Sequence, residues 1–338
     1  MEIVHKSVLL EECLEFLSPI GEPFERDAFM VDSTLGEGGH SFAFLSRFPN
    51  LKILGLDADS KIQERAKMRL SSFAQAGRMN FWNGWFNDFY ENYDSFSFVT
   101  GGRKPDLILF DLGISVFHYE KSGRGFSFRH DEPLDMRLDE SAGESAEQIV
   151  NTLDEKSLAD LIFRFSDEKK SRKIARAICE ARTFGKIESA SALAEIVKKA
   201  VGGGNSKIHP ATKTFQALRI AVNGELSRLP SAIHAAFNVL NVGGKMGVIT
   251  FHSIEDRIVK NYFRALSKKC VCPPELAVCA CGGKECANLL TKKGICPTEN
   301  EIALNSPSRS AKLRVVRKLC DATKERFEFS LLHKGIEE

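Results

Sequence analysis

The amino-acid sequence predicts an α/β fold, in which an open parallel sheet is interrupted by a mostly helical insertion. Four apolar runs with β-branched residues alternate with helical patterns in the first third of the chain: 29–33, 52–57, 78–82 and 106–111. No comparable run follows until Met246–Phe251, which has the composition of a buried strand. Strands separated by helices imply βαβ units, and the long interval without a strand implies an inserted domain.

The domain boundaries follow from where this alternation stops and resumes. We expect residues 1–112 and 211–338 to form the sheet domain, and 113–210 to form the insertion. An amphipathic helix begins at Pro210. Its polar positions share one face, which the pattern predicts to be exposed to solvent: Gln216, Arg219 and Asn223.

The composition is that of a globular protein without a strong overall charge. Of 338 residues, 43% are hydrophobic and 27% are charged, which suits one large domain or two of ordinary size. The 47 basic and 45 acidic residues leave a net charge of +2, so contacts with nucleic acid would have to come from local clusters. No apolar stretch approaches the ~18 residues that a bilayer requires. Nine cysteines without a signal peptide favour reduced thiols, and we expect a cytoplasmic protein with no membrane partner.

A glycine-rich turn directly follows the first predicted strand, within the stretch Asp32–His40. Gly36, Gly38 and Gly39 let the backbone approach a ligand closely. Asp57 ends the second predicted strand about twenty residues later, where open α/β sheets place a carboxylate that binds ribose hydroxyls. Together these features predict a nucleoside-bearing cofactor.

The residue after the turn separates two classes of cofactor. A dinucleotide fingerprint that starts at Gly36 would require glycine at position 41, and this chain has Ser41. The sequence therefore favours S-adenosylmethionine over a nicotinamide dinucleotide, although both cofactors fit a first-strand glycine turn.

Two further residues at strand ends are catalytic candidates. Asp111 follows four apolar residues at the carboxyl end of the fourth strand, where a carboxylate is costly unless it has a partner. A helix-capping or turn aspartate is the alternative. Ser253 and Asp256 match a capping box for the helix after the Met246–Phe251 strand, which leaves His252 as a site candidate near the same edge.

Aromatic and basic residues supply candidates for adenine and RNA contacts. Phe86 follows the third strand, where it could contact adenine or serve as a core aromatic. Arg124, Phe126 and Phe128 interleave on a loop in a way that suits stacking a base and holding its phosphate. The alternative is that both phenylalanines seal a domain junction. The basic run 169–173, with Lys170, Arg172 and Lys173, predicts either a phosphate contact or a solvated helix face.

A cluster of cysteines near the carboxyl end offers a further alternative. Six lie within fewer than thirty residues: Cys270, Cys272, Cys279, Cys281, Cys286 and Cys296. Such clusters can hold zinc, but the pairs are C-x-C rather than C-x-x-C and no histidine joins them. The sequence thus favours reduced thiols and no metal, with structural zinc left as the alternative.

Several stretches, taken in order, resemble the bacterial ribosomal RNA small-subunit cytosine-N4 methyltransferase family. The similarity covers nearly the whole chain, and the matching stretches are His5–Glu12, Asp32–His40, Asp111–Ser115, Arg124–Phe128, Leu134–Arg137, His209–Ile220, Phe251–Arg257 and Ser308–Arg314. The resemblance implies a class I methyltransferase of Rossmann-like fold with a helical insertion. It would use S-adenosylmethionine to methylate N4 of a cytidine in the decoding region of 16S ribosomal RNA, within the small subunit.

The resemblance also assigns residues. By position, the residues that contact the cofactor would be Gly38, Gly39, His40, Asp57, Phe86 and Asp111. After Asp111–Ser115 the family usually continues Ser-Pro-Gln, whereas this chain has Val116, Phe117 and His118. The cofactor contact expected from the glutamine therefore falls on His118, whose ring nitrogens can donate or accept a hydrogen bond.

The resemblance and the motifs together suggest a mechanism with three parts, and one main alternative function. Asp111 or a nearby carbonyl would accept the N4 proton, Phe126 or Phe128 would stack on the unpaired cytosine, and the 169–173 cluster would hold phosphates. The rival is a non-catalytic ribosome-assembly factor that keeps the fold. A nicotinamide dehydrogenase is disfavoured by Ser41, and the oligomeric state stays open, with a dimer as one option.

Overall fold

The computed structural model describes residues 6–19, 27–141, 143–202 and 209–332. His5, in the first family-like stretch, lies outside these ranges. The chain divides into two compact units: a sheet unit, Met1–Gly113 with Arg228–Glu338, and a helical unit, Ile114–Ser227. The helical unit thus extends past the expected boundary at residue 210, because the helix after Pro210 packs its apolar face, including Phe215 and Leu218, into the core of that unit.

Seven strands form one sheet in the order β3-β2-β1-β4-β5-β7-β6. Their bounds are β1 Phe29–Asp32, β2 Lys52–Asp57, β3 Met79–Asn83, β4 Leu107–Asp111, β5 Lys245–Thr250, β6 Ala287–Leu289 and β7 Lys312–Lys318. The five predicted strands are confirmed within one residue at each end. The sheet is open and mostly parallel, which confirms the predicted Rossmann-like, class I methyltransferase fold.

The five parallel strands, β1 to β5, have their carboxyl ends along one edge of the sheet. In the centre, Val31 pairs with Leu54 on one side and with Ile108 on the other, and all three are buried apolar residues of parallel strands. Strand β5 pairs parallel with β4, whereas β7 pairs antiparallel with both β5 and β6. Asp32, Asp57 and Asp111 are the last residues of β1, β2 and β4.

Helices complete the sheet unit. They are α1 Leu10–Phe16, α2 Gly39–Arg47, α3 Ser60–Arg69, α4 Ser71–Gln75, α5 Phe86–Glu91 and α6 Ser97–Thr100, followed after the helical unit by α14 Ser253–Leu266, α15 Glu299–Leu304 and α16 Lys324–Leu332. Short 3-10 helices cover Tyr93–Phe96 and Ser306–Ser310. The central core includes Met30, Leu45 and Leu107, all of them at most 1% exposed.

The helical unit contains α7 Val116–Glu120, α8 Ala146–Thr152, α9 Glu155–Ser166, α10 Ser171–Ala181, α11 Ala190–Val201 and α12 Thr212–Asn223. Helix α13, Glu225–Val239, starts at its end and continues into the sheet unit. Buried residues such as Leu158, Ile174 and Leu193 form the core of the helical unit. Each of these helices presents one apolar stripe, and the stripes can leave water only by packing on one another.

The polar face of α12 is a correction to the sequence prediction. Asn223 is buried; its amide donates to the carbonyl of Met136 at 2.8 Å and accepts from the N–H of Leu138 at 2.8 Å. Arg219 makes two hydrogen bonds of 2.8 Å to Glu225, and Gln216 donates to the carbonyl of Phe165. The polar side chains of this face form hydrogen bonds with backbone groups of loops and helix ends in the helical unit. Their polarity therefore does not mean that the face is exposed to solvent.

Candidate functional site

The glycine-rich turn is joined to the end of β2 by two backbone-donated hydrogen bonds. The N–H of Leu35 donates to the carbonyl of Leu56 at 2.8 Å, and that of Gly36 donates to Asp57 Oδ2 at 2.7 Å. Gly36 and Gly38 have φ of +53° and +75°, in the left-handed region that glycine adopts without strain. Nothing lies within 4 Å of where a Cβ of Gly36 would be, so the turn opens onto space at that point.

Helix α2 begins directly after this turn. Gly38 is the N-cap residue of this helix and has no side chain that could cap it, and Gly39 is the first helical residue. The N–H groups of a first helical turn have no partner within their own helix. The turn and the helix start therefore offer hydrogen-bond donors at the carboxyl edge of the sheet.

Asp57 is held in place by its own neighbours. Besides the bond from Gly36, its Oδ1 accepts from the N–H of Asp59 at 2.9 Å. The end of β3 is tied to the same residue, because Gly84 N and Asn83 Nδ2 both donate to the Asp57 carbonyl at 2.9 Å. Burial raises the pKa of Asp57 to about 7. A carboxylate has about four acceptor positions, and two of these are in use, so two remain for ligand hydroxyls.

Asp111 and His40 face each other next to the turn. His40 Nδ1 lies 3.7 Å from Asp111 Oδ2, and His40 Nε2 lies 3.0 Å from the carbonyl of Val8. Because a carbonyl only accepts, Nε2 carries the proton and donates it. Asp111 is fixed by two further bonds: its N–H donates to Thr34 Oγ1 at 2.6 Å, and Gly113 N donates to its Oδ1 at 3.2 Å.

The charge state of Asp111 follows from this placement. Desolvation by burial raises its pKa to about 7, and the nearby charge of Asp32 acts in the same direction. The side chain is nevertheless 14% exposed, so it is accessible from solvent. A carboxyl group with such a pKa exchanges protons readily near neutral pH.

Asp32 is a third acid at this edge of the sheet, and the sequence reasoning did not single it out. It is 2% exposed, and it accepts hydrogen bonds from Ser41 Oγ at 2.6 Å and from Thr34 N at 3.4 Å. Burial raises its pKa to about 6. The signal was available, because an acid ends the first apolar strand directly before the glycines. Ser41, used above only to argue against a dinucleotide, is the residue that orients this carboxylate.

Phe86 lies at the same edge of the sheet. It is the first residue of α5, directly after the β3 end that is bonded to Asp57. Its half-buried ring meets the ring of Phe110 edge to face, with centroids 5.5 Å apart. The ring is therefore braced from one side by the core.

His252 has a structural role that the sequence reasoning gave to another residue. It is the cap of α14: its Nδ1 accepts from Glu255 N at 3.4 Å, and Glu255 Oε2 accepts from the backbone N–H groups of Phe251 and His252. The capping box is thus His252 with Glu255, and the predicted Ser253 with Asp256 is wrong. Asp256 instead pairs with Arg314 through contacts of 2.7 and 3.1 Å. A catalytic role for His252 stays a prediction.

The other predicted aromatic and cationic residues lie in the helical unit, and most are buried there. His118 is 4% exposed, with its ring 5.3 Å from that of Phe126, which is part of the helical core. Arg124 is 5% exposed and donates to the carbonyls of Arg137 and Leu138. Phe128 is half-buried and stacks on His209 at 4.5 Å. Of the three rings, that of Phe128 is the most accessible.

The predicted basic cluster is exposed. Lys170 caps α10, and Arg172 and Lys173 lie in its first turn. Lys170 Nζ donates to the carbonyl of Val201 at 3.1 Å. The positive end of the helix dipole disfavours cations at this position. The stability of α10 therefore does not explain why three basic residues lie at its start.

The sequence of this chain is similar to those of proteins from a known family. It matches the MraW methylase family over residues 2–319. A protein of Treponema denticola named ribosomal RNA small subunit methyltransferase H is 56% identical over 321 residues, which cover 94% of this chain and 98% of the relative. Relatives of the same name from Borrelia turicatae and Treponema pallidum are 46% and 42% identical, each over 94% of this chain and over 98% and 93% of their own length. Along the described ranges, no helix is both long enough and apolar enough to cross a membrane. This chain belongs to the MraW methylase family.

Proposed function

We propose that this chain transfers a methyl group from S-adenosylmethionine to N4 of a cytidine in the decoding region of 16S ribosomal RNA. The observation that carries the proposal is the bond between Gly36 of the turn and Asp57 of β2, which sets a ribose-binding carboxylate beside a glycine turn open to solvent. The relatives named ribosomal RNA small subunit methyltransferase H supply the class of substrate. A bacterial ribosomal substrate places the proposed activity in the cytoplasm.

The residues present fit S-adenosylmethionine. Asp57 keeps acceptor positions for the two ribose hydroxyls, and the ring of Phe86 provides an apolar surface for adenine at the adjoining strand end. The start of α2 at Gly39 offers N–H donors to the carboxylate of the methionine part. The turn at Gly36 leaves open space where a side chain would otherwise stand.

The cofactor supplies an electrophilic methyl group on a positively charged sulfur. The amino group of cytosine is a poor nucleophile, because its lone pair is delocalised into the ring. The protein therefore has to position N4 and to accept a proton from it. Asp111 is suited to the proton transfer, since its carboxyl group is held by Thr34 and Gly113, lies at the same edge and has a pKa of about 7.

Binding of ribosomal RNA falls to the helical unit in this proposal. Lys170, Arg172 and Lys173 are exposed at a helix start where they cost stability, so a ligand with negative charge explains them better than folding does. Phosphates are such a ligand. The ring of Phe128, held against His209, is the candidate for stacking on an unpaired base.

Neutralising this cluster should weaken RNA binding. We expect the double change Arg172→Gln/Lys173→Gln to raise the KM for small subunits by about three- to tenfold, with kcat nearly unchanged, because phosphate contacts position the substrate. The salt dependence of log KM should become shallower by about 0.7 to 1 per lost contact. Methyl transfer measured at several salt concentrations gives both quantities.

The matched control is Lys198→Gln/Lys199→Gln. These lysines are also exposed, but they lie in the last turn of α11, where the dipole favours cations. An equal rise in KM for both double variants would remove the special role of the 170–173 segment.

Cofactor affinity should depend on pH. Asp57 accepts hydroxyl hydrogen bonds best when ionised, and its raised pKa of about 7 leaves it mostly protonated at pH 6 and mostly ionised at pH 8. The affinity for S-adenosylmethionine should therefore rise about tenfold from pH 6 to pH 8. Calorimetric titration measures this, and the same series with Asp57→Asn reports any part that comes from the ligand's own groups. A flat profile for the wild-type protein would contradict the assignment.

The function itself is tested by methyl transfer onto small subunits from cells that lack this protein. Labelled S-adenosylmethionine supplies the methyl group, and mass analysis of the nucleosides identifies the product. We expect N4-methylcytidine and no other methylated nucleoside. The alternative of a non-catalytic assembly factor predicts no product and no heat when millimolar S-adenosylmethionine is titrated into the protein.

A further inference from the structure

Four cysteine side chains converge on one point of the sheet unit, in the segment between α14 and β6. The sulfur atoms of Cys270, Cys272, Cys279 and Cys281 all lie within 4.8 Å of one another. The sequence favoured a loop of reduced thiols because the pairs are C-x-C. The fold instead brings two such pairs together across the turn that contains Pro273.

Four of the six sulfur–sulfur separations match those of a tetrahedron around one ion, and the other two are at most 4.8 Å. Four separations are 3.8 Å for Cys270–Cys279, 3.8 Å for Cys272–Cys279, 3.7 Å for Cys279–Cys281 and 3.6 Å for Cys270–Cys281. Zinc–sulfur bonds of about 2.3 Å at tetrahedral angles put neighbouring sulfurs about 3.8 Å apart. A disulfide would require about 2.05 Å. A four-iron cluster would hold the sulfurs farther apart, because four metal atoms would lie between them.

The surrounding backbone is fixed around these thiols by a single buried side chain. Arg326 of α16 is fully buried, and its guanidinium donates to carbonyls at both ends of the cysteine loop: Ala265, Lys268, Lys269, Cys281 and Lys284. All five N–H donors of a guanidinium can be used in such an arrangement. The loop is thus held in one conformation although it contains little regular structure of its own.

Hydrogen-bond donors converge on the sulfur of Cys281. The N–H of Val271 donates to Cys281 Sγ at 3.3 Å, and Arg326 Nη2 lies 3.7 Å from the same sulfur. Lys268 precedes the four cysteines in the sequence and Lys284 follows them, and both are exposed. Four thiolates around one divalent cation leave a charge of −2, which nearby cations and N–H donors offset.

The two remaining cysteines of the cluster do not take part. Cys286 Sγ is directed to the carbonyls of Lys284 and Asp321, and Cys296 Sγ to that of Gly294. Four ligands with no open position are typical of a structural metal site rather than a catalytic one.

We propose that Cys270, Cys272, Cys279 and Cys281 bind one structural Zn²⁺ ion. The ion fixes the segment between the end of α14 and β6. On binding, the thiols lose their protons to solvent, and each sulfur donates an electron pair to the metal.

The full-length protein, expressed without an affinity tag and purified without chelators, tests the proposal. Elemental analysis by plasma mass spectrometry should find about one zinc per chain. Cys279→Ser and the double change Cys270→Ser/Cys281→Ser should each lose at least about nine-tenths of it, whereas Cys296→Ser should retain it. Equal zinc in the wild type and the double variant would overturn the assignment.

A second measurement does not depend on how the variants fold. Cobalt exchanged into the wild-type protein should give the intense visible bands of tetrahedral cobalt with thiolate-to-metal charge transfer, and zinc should abolish them. Titration of all thiols with a mercurial should release about one zinc per chain. Wild-type protein without metal, cobalt bands of octahedral type, or stoichiometric iron in place of zinc would each overturn the proposal.

Discussion

The change Asp57→Ala should weaken the binding of S-adenosylmethionine by at least about 100-fold. Gly36 and Asp59 hold the carboxylate in place. In the proposed site it accepts two ribose hydroxyls, and hydrogen bonds to a charged group contribute about 1.5–3 kcal/mol each. Losing both bonds corresponds to about 3–6 kcal/mol. Isothermal calorimetry at pH 8, where Asp57 is mostly ionised, measures the change.

Two further variants control for folding and for charge. Asp57→Asn preserves the shape and should lie between alanine and wild type, because one neutral acceptor remains. Asp94→Ala removes an exposed acid of the same unit and should leave the affinity unchanged. Thermal unfolding of each variant shows whether the protein is folded. A folded Asp57→Ala protein with wild-type affinity would exclude Asp57 from the cofactor site.

The change Asp111→Asn should lower the rate of methyl transfer to small subunits by about 10²–10⁴-fold, the usual contribution of a positioned proton acceptor. Asparagine keeps the shape and can still accept from Gly113 N, but it cannot take up the N4 proton. If proton acceptance is the main role, the Kd for S-adenosylmethionine should change by less than about tenfold while kcat falls. Single-turnover transfer and calorimetry measure the two quantities separately.

An acid next to the same strand serves as the control. Asp106→Asn alters an acid just before the start of β4, where its side chain accepts from Phe29 N and Asn241, so transfer should stay near the wild-type rate. In the wild type, kcat should rise with pH through about 7, as Asp111 becomes ionised. A large rise in Kd for Asp111→Asn would instead assign this residue to cofactor binding. Near wild-type transfer would remove it from both roles.

Strands β1 and β4 were predictable because they are mostly apolar and buried on both faces. In β1 and β4, runs such as Leu107–Phe110 are completely buried, and burial of that extent requires a continuous hydrophobic segment. The antiparallel strand β7 was less visible, since Lys312–Lys318 mixes charged and apolar residues. Its charged side chains find partners elsewhere, as Arg314 does with Asp256. The sequence pattern of a single strand does not show which distant residues will pair with its charged side chains.

Part of the site was predictable for a similar reason. Glycines after one strand and an acid at the end of the next are local features, and the structure joins Gly36 to Asp57. By contrast, the sequence did not identify Asp32, whose role depends on Ser41 nine residues away, and it assigned the cap of α14 to Ser253 instead of His252. Cap geometry depends on backbone dihedral angles and on side-chain direction, which spacing alone leaves open.

The sequence by itself determined the class of fold, the family, and the strand ends at which the proposed cofactor residues stand, because periodicity and motif order are properties of the chain. Only the tertiary structure decided which polar groups satisfy one another. It buried Asn223 of the predicted solvent face, placed Arg124 against carbonyls of its own unit and gathered four of six clustered cysteines around one point. The physical reason is that a buried polar group requires a partner, and that partner is set by three-dimensional proximity rather than by position along the chain.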